Sequence, residues 1–171
     1  GLIVCQWAKH LGATVIGTVG SEAKLELARQ AGADHALVHS APDFVAQVRA
    51  FTAGRGVDVV YDSIGRDTFM KSIECLRPRG LMVAYGNASG KPEPLDVLSL
   101  SRHGSLYLTR PNLGHYVATR AELELSTGRF FDALERGIVW PHPVERFALE
   151  EAPAAHRHLE DRSKHTIPIL V

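Results

Sequence analysis

Short β-branched segments alternate with amphipathic helical segments through residue 86, and this alternation constrains the fold more than any other feature. Strand-like runs occupy residues 14–19, 35–39, 57–64 and 80–86, with a helical segment between successive runs. Alternating strands and helices with short connections favour right-handed crossovers, which build a parallel sheet with helices on both faces. The sequence therefore predicts an α/β fold with a doubly wound parallel sheet.

The second half of the chain has a looser pattern. A Gly/Pro-rich loop at 87–96 is followed by an extended segment at 105–113 (SLYLTRPNL), a long helix at 117–136, a last helix and the strand-like TIPILV. The extended segment alternates apolar side chains and then meets Pro111, which suits the edge of a sheet. A long apolar edge strand left bare invites pairing with another chain, so we expect self-association through residues 105–113.

Gly1 leads directly into the first helix, and no strand precedes it in this sequence. In dinucleotide-binding folds the first strand ends in a glycine-rich phosphate loop, whose third glycine lets the next helix pack close to that strand. We expect Gly1 to occupy this third position, with the first strand and most of the loop missing. The strand at 14–19 would then lie beside a gap or an exposed edge. The alternative is a fold that begins with a helix.

Charge and cysteine content argue against several function classes. Lys plus Arg and Asp plus Glu number 19 each, so no charge excess points to nucleic acid or to an anionic membrane. No apolar run approaches the ~20 residues that a membrane-spanning helix needs. Cys5 and Cys75 are isolated in helical segments, as expected for reduced thiols of a cytoplasmic protein. Neither has a partner at zinc-ligand spacing, and we expect no metal site.

Four stretches carry a resemblance to a known family: GLIVCQWAKHLGATVIGTVGSEAK, GVDVVYDSIG, YGNASG and GSLYLTRPNL. In this order and spacing they resemble the zinc-free, zeta-crystallin-like quinone oxidoreductases of the medium-chain dehydrogenase/reductase superfamily, over nearly the whole chain. The resemblance implies a Rossmann-type NADP-binding domain at 1–136, truncated at its N-terminus. It also implies that residues 137–171 return to a catalytic domain that lies outside this sequence.

The turn after the strand at 14–19 distinguishes the two nicotinamide cofactors. NAD enzymes place an acid there for the ribose 2′-hydroxyl, whereas a 2′-phosphate needs donors and cations. Gly20 lets the backbone approach, Ser21 offers a hydroxyl, and Lys24 supplies a cation. A cation is unfavourable in the first turn of a helix, and a bound phosphate would offset this cost. These residues match the family's 2′-phosphate segment, so the resemblance implies NADPH. Glu22 argues the other way, and a solvated surface lysine is the alternative.

Further cofactor contacts are expected where later strands end, because ligands of open α/β sheets bind beyond the carboxyl ends of the strands. The resemblance implies contacts from small or polar residues at these ends and from one arginine near the C-terminus: His39, Ser63, Gly86, Asn87, Ser89 and Arg162. His39 replaces a tyrosine that many family members place against adenine, and a solvent-facing histidine is the alternative. A plain helix-end arginine is the alternative for Arg162. Asp62 is interpreted as a cap of the following turn rather than as a catalytic acid.

The resemblance implies that the full-length protein transfers hydride from NADPH to a quinone without metal, and no side chain is assigned a catalytic role. The chain by itself is expected to be inactive and to bind NADPH weakly, since the substrate pocket of this family lies between two domains. Two alternatives stay open: an enoyl or alkenal reductase of the same superfamily, and a non-catalytic nucleotide-sensing or interaction domain. In the family, the region corresponding to 105–113 joins two protomers, which implies a homodimer.

Overall fold

Helices and strands follow each other in the predicted order in the computed structural model, which describes residues 1–161, 164 and 166–171. The helices are Leu2–His10 (α1), Leu25–Gln30 (α2), Phe44–Phe51 (α3), Phe69–Cys75 (α4), Val97–Arg102 (α5), Leu113–Tyr116 (α6), Arg120–Glu135 (α7) and Ala152–Glu160 (α8). The strands are Ile16–Val19 (β1), His35–Val38 (β2), Val57–Asp62 (β3), Leu76–Ala84 (β4), Tyr107–Thr109 (β5), Val144–Phe147 (β6) and Ile167–Leu170 (β7). Short 3₁₀ helices at Glu22–Lys24 and Leu149–Glu151 precede α2 and α8. No helix of the described residues is both long and apolar enough to span a bilayer.

The strands form three parallel sheets. β1 pairs with β2, β3 and β5 flank β4, and β6 pairs with β7. Every described strand pair is parallel, which confirms the α/β prediction. Within the described residues β1 pairs only with β2, so the strand predicted at 14–19 has one open edge, as expected. β3 likewise pairs only with β4, and no hydrogen-bonded ladder joins β1 to β3.

A buried cluster nevertheless connects the first two sheets. The cluster contains Leu37, Phe44, Val48 and Cys75. Ile16 of β1 packs against it from one sheet, and Val57 and Val60 of β3 pack against it from the other. Because both sheets share this apolar cluster, their relative placement is set by side-chain packing rather than by backbone pairing. A second cluster around Ile73 and Met82 packs α4 against β4.

Arg49 ties the end of α3 to the junction of α4 and β4. Its Nη2 donates to the carbonyl oxygens of Glu74 (2.7 Å) and Leu76 (3.1 Å), and its Nη1 donates to those of Gly54 and Arg55 (both 3.2 Å). The Glu74 carbonyl lies at the end of α4, where carbonyls lack donors within their own helix. The guanidinium satisfies it together with the carbonyl of the first residue of β4 and two carbonyls of the loop after α3, and so holds these segments together.

Several segments after β4 differ from the sequence-based prediction, which did not include α5, α6 or β6. The helix expected at 117–136 starts only at α7, because Thr119 and Glu122 form a capping box in which each side chain accepts from the other's backbone N–H (3.2 and 2.9 Å). Only the middle of the extended segment 105–113 pairs, as β5. Its end turns into α6, where the Asn112 side chain accepts from the Gly114 backbone N–H (2.9 Å).

The described fold leaves unusually large apolar faces open. Its accessible surface is 11094 Å², whereas a folded monomer of this mass has about 8,300 Å² by the general scaling of area with mass. The exposed apolar side chains include several on β3, β5, α6 and α7: Val59, Tyr61, Tyr107, Leu108, Leu113, Tyr116, Leu125 and Phe131. Extended apolar surface of this kind is typical of faces that contact other polypeptide.

Candidate cofactor site

The carboxyl ends of β1 and β2 bring two predicted contact residues together. Gly20 follows β1 and is exposed, and His39 follows β2 and is half-buried. The His39 backbone N–H donates to the Val19 carbonyl (3.0 Å). A Cβ atom placed on Gly20 would lie 3.7 Å from His39 Nε2, so the imidazole flanks the glycine turn. The two residues form one continuous surface beyond the strand ends.

The turn after Gly20 presents a hydroxyl and an ammonium group. Ser21 is extended and exposed, and its side chain makes no capping hydrogen bond. Lys24 is half-buried and closes the 3₁₀ helix Glu22–Lys24, ahead of α2 rather than within its first turn. Among the described residues no carboxylate lies within ion-pair distance of Lys24. Glu22 is exposed. The groups that could hold an anion are therefore not neutralised by this part of the chain.

The ends of β3 and β4 approach each other so closely that only glycine fits at position 86. The Asp62 carbonyl accepts from the backbone N–H groups of Tyr85 (2.9 Å) and Gly86 (3.3 Å). A Cβ atom on Gly86 would lie 2.7 Å from the Cα atom of Ser63, which is closer than real Cβ contacts. The structure thus places Ser63 and Gly86 against each other, at the edge where both were predicted to contact a cofactor.

The loop after β4 is fastened to the loop after β3 by Ser89. Its hydroxyl donates to the Ile64 carbonyl (2.9 Å) and accepts from the Asp67 backbone N–H (3.1 Å). Ser89 therefore has a structural role that the sequence did not reveal, and its cofactor contact stays a prediction. Asn87 lies in the same loop and is exposed.

The Asp62 carboxylate is the anchor of this edge. It is buried, with 5% of the residue exposed. One oxygen accepts from the backbone N–H groups of Ile64 (2.8 Å) and Gly65 (2.9 Å), and the other from the hydroxyls of Thr68 (2.8 Å) and Ser72 (2.9 Å). A carboxylate with four donors has no free lone pair directed at a ligand. The hydrogen bonds from Ile64 and Gly65 confirm the interpretation of Asp62 as a cap of the following turn.

Gly1 and Arg162 are the two remaining predicted contacts. Gly1 caps α1, and a Cβ atom there would meet nothing within 4 Å, so the described residues give no packing reason for glycine. The first turn of α1 contains no acid, which leaves its backbone N–H groups suited to an anion. Arg162 lies outside the described residues.

The two cysteines are unsuited to nucleophilic chemistry. Burial raises the pKa of Cys75 to about 11, and burial also raises the pKa of Cys5. Both thiols are therefore protonated near neutral pH, and a thiol rather than a thiolate is a poor nucleophile and metal ligand. Within the part of the chain that the structure describes, no three His, Cys, Asp or Glu side chains group together in a way that could hold a metal ion.

Comparison with known families supports this geometry. The model of the zinc-binding dehydrogenase family matches residues 1–124. The chain belongs to this dehydrogenase family.

Its relatives confirm the resemblance to quinone oxidoreductases. Quinone oxidoreductase 1 of Escherichia coli (strain K12) is 42% identical over 173 residues, which cover 100% of this dehydrogenase chain and 53% of the relative. The 2-haloacrylate reductase of a Burkholderia species is 49% identical over 163 residues, 95% of this chain and 49% of the relative. The crystal structure of E. coli quinone oxidoreductase complexed with NADPH matches with a TM-score of 0.90 at 41% identity, over 100% of this chain and 53% of that one. The dehydrogenase chain thus spans about half the length of these relatives.

Arg110 is a residue at this edge that sequence reasoning missed. It follows β5, and its Nη1 donates to the carbonyl of Ala84, the last residue of β4 (2.8 Å). The sequence contained a signal for Arg110, because this residue follows a strand of the same parallel sheet, as Ser63 and Gly86 do. The guanidinium adds a positive charge next to the β4 loop.

We predict that replacing Asp62 by alanine lowers the free energy of unfolding by about 3 kcal/mol, because two backbone N–H groups and two buried hydroxyls lose their shared acceptor. Chemical denaturation of the intact protein measures the change. Asp67→Ala in the same loop is the matched control. Asp67 pairs only with Arg66 at the surface (3.3 Å), so the control should shift stability by less than about 1 kcal/mol. Equal effects of the two variants would contradict the anchoring role of Asp62.

Proposed function

We propose that this chain supplies the NADPH-binding part of an oxidoreductase that reduces quinones. The observation that carries the proposal is the gathering of predicted contact residues beyond the strand ends, Gly20 with His39 on one side and Ser63 with Gly86 on the other. Ligands of open parallel sheets bind at such an edge. The E. coli relative whose crystal structure contains NADPH shares the fold over this whole chain, which supports the same cofactor here.

The donor set fits a phosphorylated rather than a plain ribose. The Ser21 hydroxyl has no capping partner, and no described carboxylate lies within ion-pair distance of Lys24. A 2′-phosphate is a strong acceptor that bears about two negative charges, so a hydroxyl and an ammonium group satisfy it. A ribose 2′-hydroxyl would instead favour an acid that accepts from it, and the acid in this turn, Glu22, is exposed.

The chain's own contribution to the reaction is placement. When bound, NADPH supplies the hydride. The absence of a side chain at Gly86 lets the β4 loop pack directly against the backbone of Ser63, so the two loop starts lie next to each other at the edge where the cofactor is proposed to bind. The hydrogen bonds of the Asp62 carboxylate and of the Ser89 hydroxyl hold the two loops in one conformation. Rigid loops of this kind preserve the alignment between a bound cofactor and an electron-accepting substrate. No side chain of this chain is required to act as an acid or a metal ligand.

A second candidate substrate class is a conjugated carbon–carbon double bond. It is favoured by the 49% identity to a 2-haloacrylate reductase, which exceeds the identity to the quinone oxidoreductases compared with it. Both classes accept a hydride at an electron-poor conjugated carbon or oxygen, so one cofactor edge can serve either. The substrate pocket decides between them, and we propose that much of it is formed by a catalytic domain that is not part of this sequence.

The division of the chain and its self-association are part of the same proposal. We place the boundary between the cofactor domain (1–136) and the returning segment (137–171) after α7, since, among the described residues, β6 and β7 pair only with each other. We also propose a cytoplasmic homodimer that forms through residues 105–113, whose Tyr107 is 63% exposed on the edge strand β5. A monomer in light scattering at micromolar concentration would contradict the dimer.

The substrate class is tested by steady-state kinetics of the intact protein. With NADPH, we expect a higher kcat/KM for a simple quinone than for 2-chloroacrylate.

Activity should survive exhaustive chelation, because a quinone is electrophilic without a Lewis acid. The isolated 171-residue chain should show no turnover and only weak NADPH binding. A higher kcat/KM for the haloacrylate would favour the second candidate, and loss of activity with stoichiometric release of zinc would refute metal independence.

Cofactor choice is tested by Lys24→Glu. The variant places a carboxylate where the 2′-phosphate is expected, so NADPH affinity should fall ten- to a hundredfold, equivalent to about 1.5–3 kcal/mol. NADH affinity should change little, which reverses or abolishes the preference. Fluorescence titration with both cofactors gives the two dissociation constants, and Lys71→Glu on α4 serves as the control. Equal affinities of the wild-type protein for NADPH and NADH would refute the proposed preference.

A further inference from the structure

An open cavity lies beside the turn that carries Lys24. Its volume is about 260 Å³, whereas one water molecule occupies about 30 Å³ of liquid, so the cavity has room for a hydrated phosphate group. It is bounded on one side by Lys24 and Leu27 and on the other by the C-terminal segment, including Lys164. The turn after β1 thus lines the same space as Asp161, Lys164 and Thr166.

The polar side chains of this cavity carry an excess of potential positive charge. Lys24 and Lys164 line it together with the imidazoles of His142 and His158, and Asp161 is the acid among the described lining residues. Among those residues, no carboxylate lies within ion-pair distance of either lysine. With neutral imidazoles, the charge of one lysine is balanced by that of Asp161. The second lysine therefore gives the described lining residues a net positive charge.

His158 gives the cavity a fixed wall. The residue is buried, with 7% exposed. Its Nε2 lies 2.7 Å from the Thr166 hydroxyl, its Nδ1 lies 3.5 Å from a Glu145 carboxylate oxygen, and its ring meets Phe147 edge-on at 5.5 Å between centroids. These contacts hold α8 against β6 and the start of β7. His158 and Thr166, which line the cavity together with Lys164, are therefore held in place by packing and hydrogen bonds.

We propose that Lys164 is a second cation for the ribose 2′-phosphate of NADPH, acting with Lys24 across this cavity. The inference rests on the proposed function and deepens it by assigning a specificity-determining residue. A phosphate monoester bears between about 1.5 and 2 negative charges near neutral pH, which one ammonium group neutralises only in part. Lys164 is far from Lys24 in sequence, and the strand-end pattern that identified the other contacts does not reach it.

The test is calorimetric titration of the intact protein with NADPH, NADH, 2′,5′-ADP and inorganic phosphate. Lys164→Met should weaken binding of NADPH and 2′,5′-ADP about five- to tenfold, the loss expected for one partly exposed charged contact. Binding of NADH should be unchanged. Lys164→Arg should restore most of the affinity, because it keeps the charge. Lys71→Met on α4 is the matched control and should bind all four ligands like the wild type.

A double-mutant cycle strengthens the assignment. If Lys24 and Lys164 hold the same phosphate, the combined Lys24→Met and Lys164→Met variant should lose a factor that differs from the product of the single losses. Thermal melting of each variant checks folding, and Lys164→Gln replaces Lys164→Met if the methionine variant melts early.

The possible outcomes separate the inference from the proposed function. A wild-type protein that binds NADPH no better than NADH would overturn the proposed cofactor and the role of Lys164 together. A clear NADPH preference that is unchanged in Lys164→Met would overturn only the inference. Weakened binding of inorganic phosphate with unchanged binding of NADPH would also overturn it, because the cavity would then hold free phosphate rather than the nucleotide.

Discussion

The buried carboxylate of Asp62 is the interaction on which the candidate site depends. Its two oxygens accept from two backbone N–H groups of the following turn and from two hydroxyls on or next to α4. Its backbone carbonyl accepts from the end of β4. One residue therefore fixes the direction in which the chain leaves β3, the start of α4 and the position of the β4 loop. Without these contacts of Asp62, the loop after β3 would not be fixed, and neither Gly86 nor the Ser89 hydroxyl would meet it in a defined position.

The second constraint is the separation of the two sheets. β1 and β3 each have one open edge among the described residues, and the cluster around Leu37 and Phe44 holds the sheets together by packing alone. The site spans both sheets, since Gly20 and His39 follow one and Ser63 and Gly86 follow the other. The accessible area exceeds that of a typical monomer of this mass, and apolar residues of β5, α6 and α7 are exposed. Exposed apolar surface of this kind is typical of faces that contact other polypeptide.

Sequence reasoning captured what depends on local patterns. The β-branched runs located the strands of the first half of the chain to within a few residues, whereas β6 was missed, and the alternation with helices gave the parallel arrangement. Asp62 was recognised as a cap because an acid at the carboxyl end of a strand is placed to accept from the next turn. The start of α7 was placed too early because Thr119 competes for the helix end through its capping box, an effect of two particular side chains.

What sequence reasoning missed depends on tertiary contacts. Ser89 was predicted to contact the cofactor, which stays a prediction, but the bridge that its hydroxyl makes between two loops adjacent only in the folded chain was not foreseen. Arg110 reaches back to Ala84 across neighbouring strands, and Lys164 shares a cavity with Lys24 although the C-terminal segment carries no strand-end signal. Gly1 and Arg162 were assigned by resemblance, and their contacts with a cofactor stay predictions.

The central claim is that the strand-end edge binds the cofactor and that the turn after β1 recognises its 2′-phosphate. Hydrogen exchange of the intact protein, measured by mass spectrometry with saturating NADPH or NADH, tests both parts at once. Our account predicts that both cofactors slow exchange at 62–67 and 84–90, that only NADPH slows it at 19–24, and that α7 is unchanged. Exchange at 19–24 that is equally slow with both cofactors would contradict the recognition of the phosphate. Unchanged exchange in all three segments with NADPH bound would contradict the site itself.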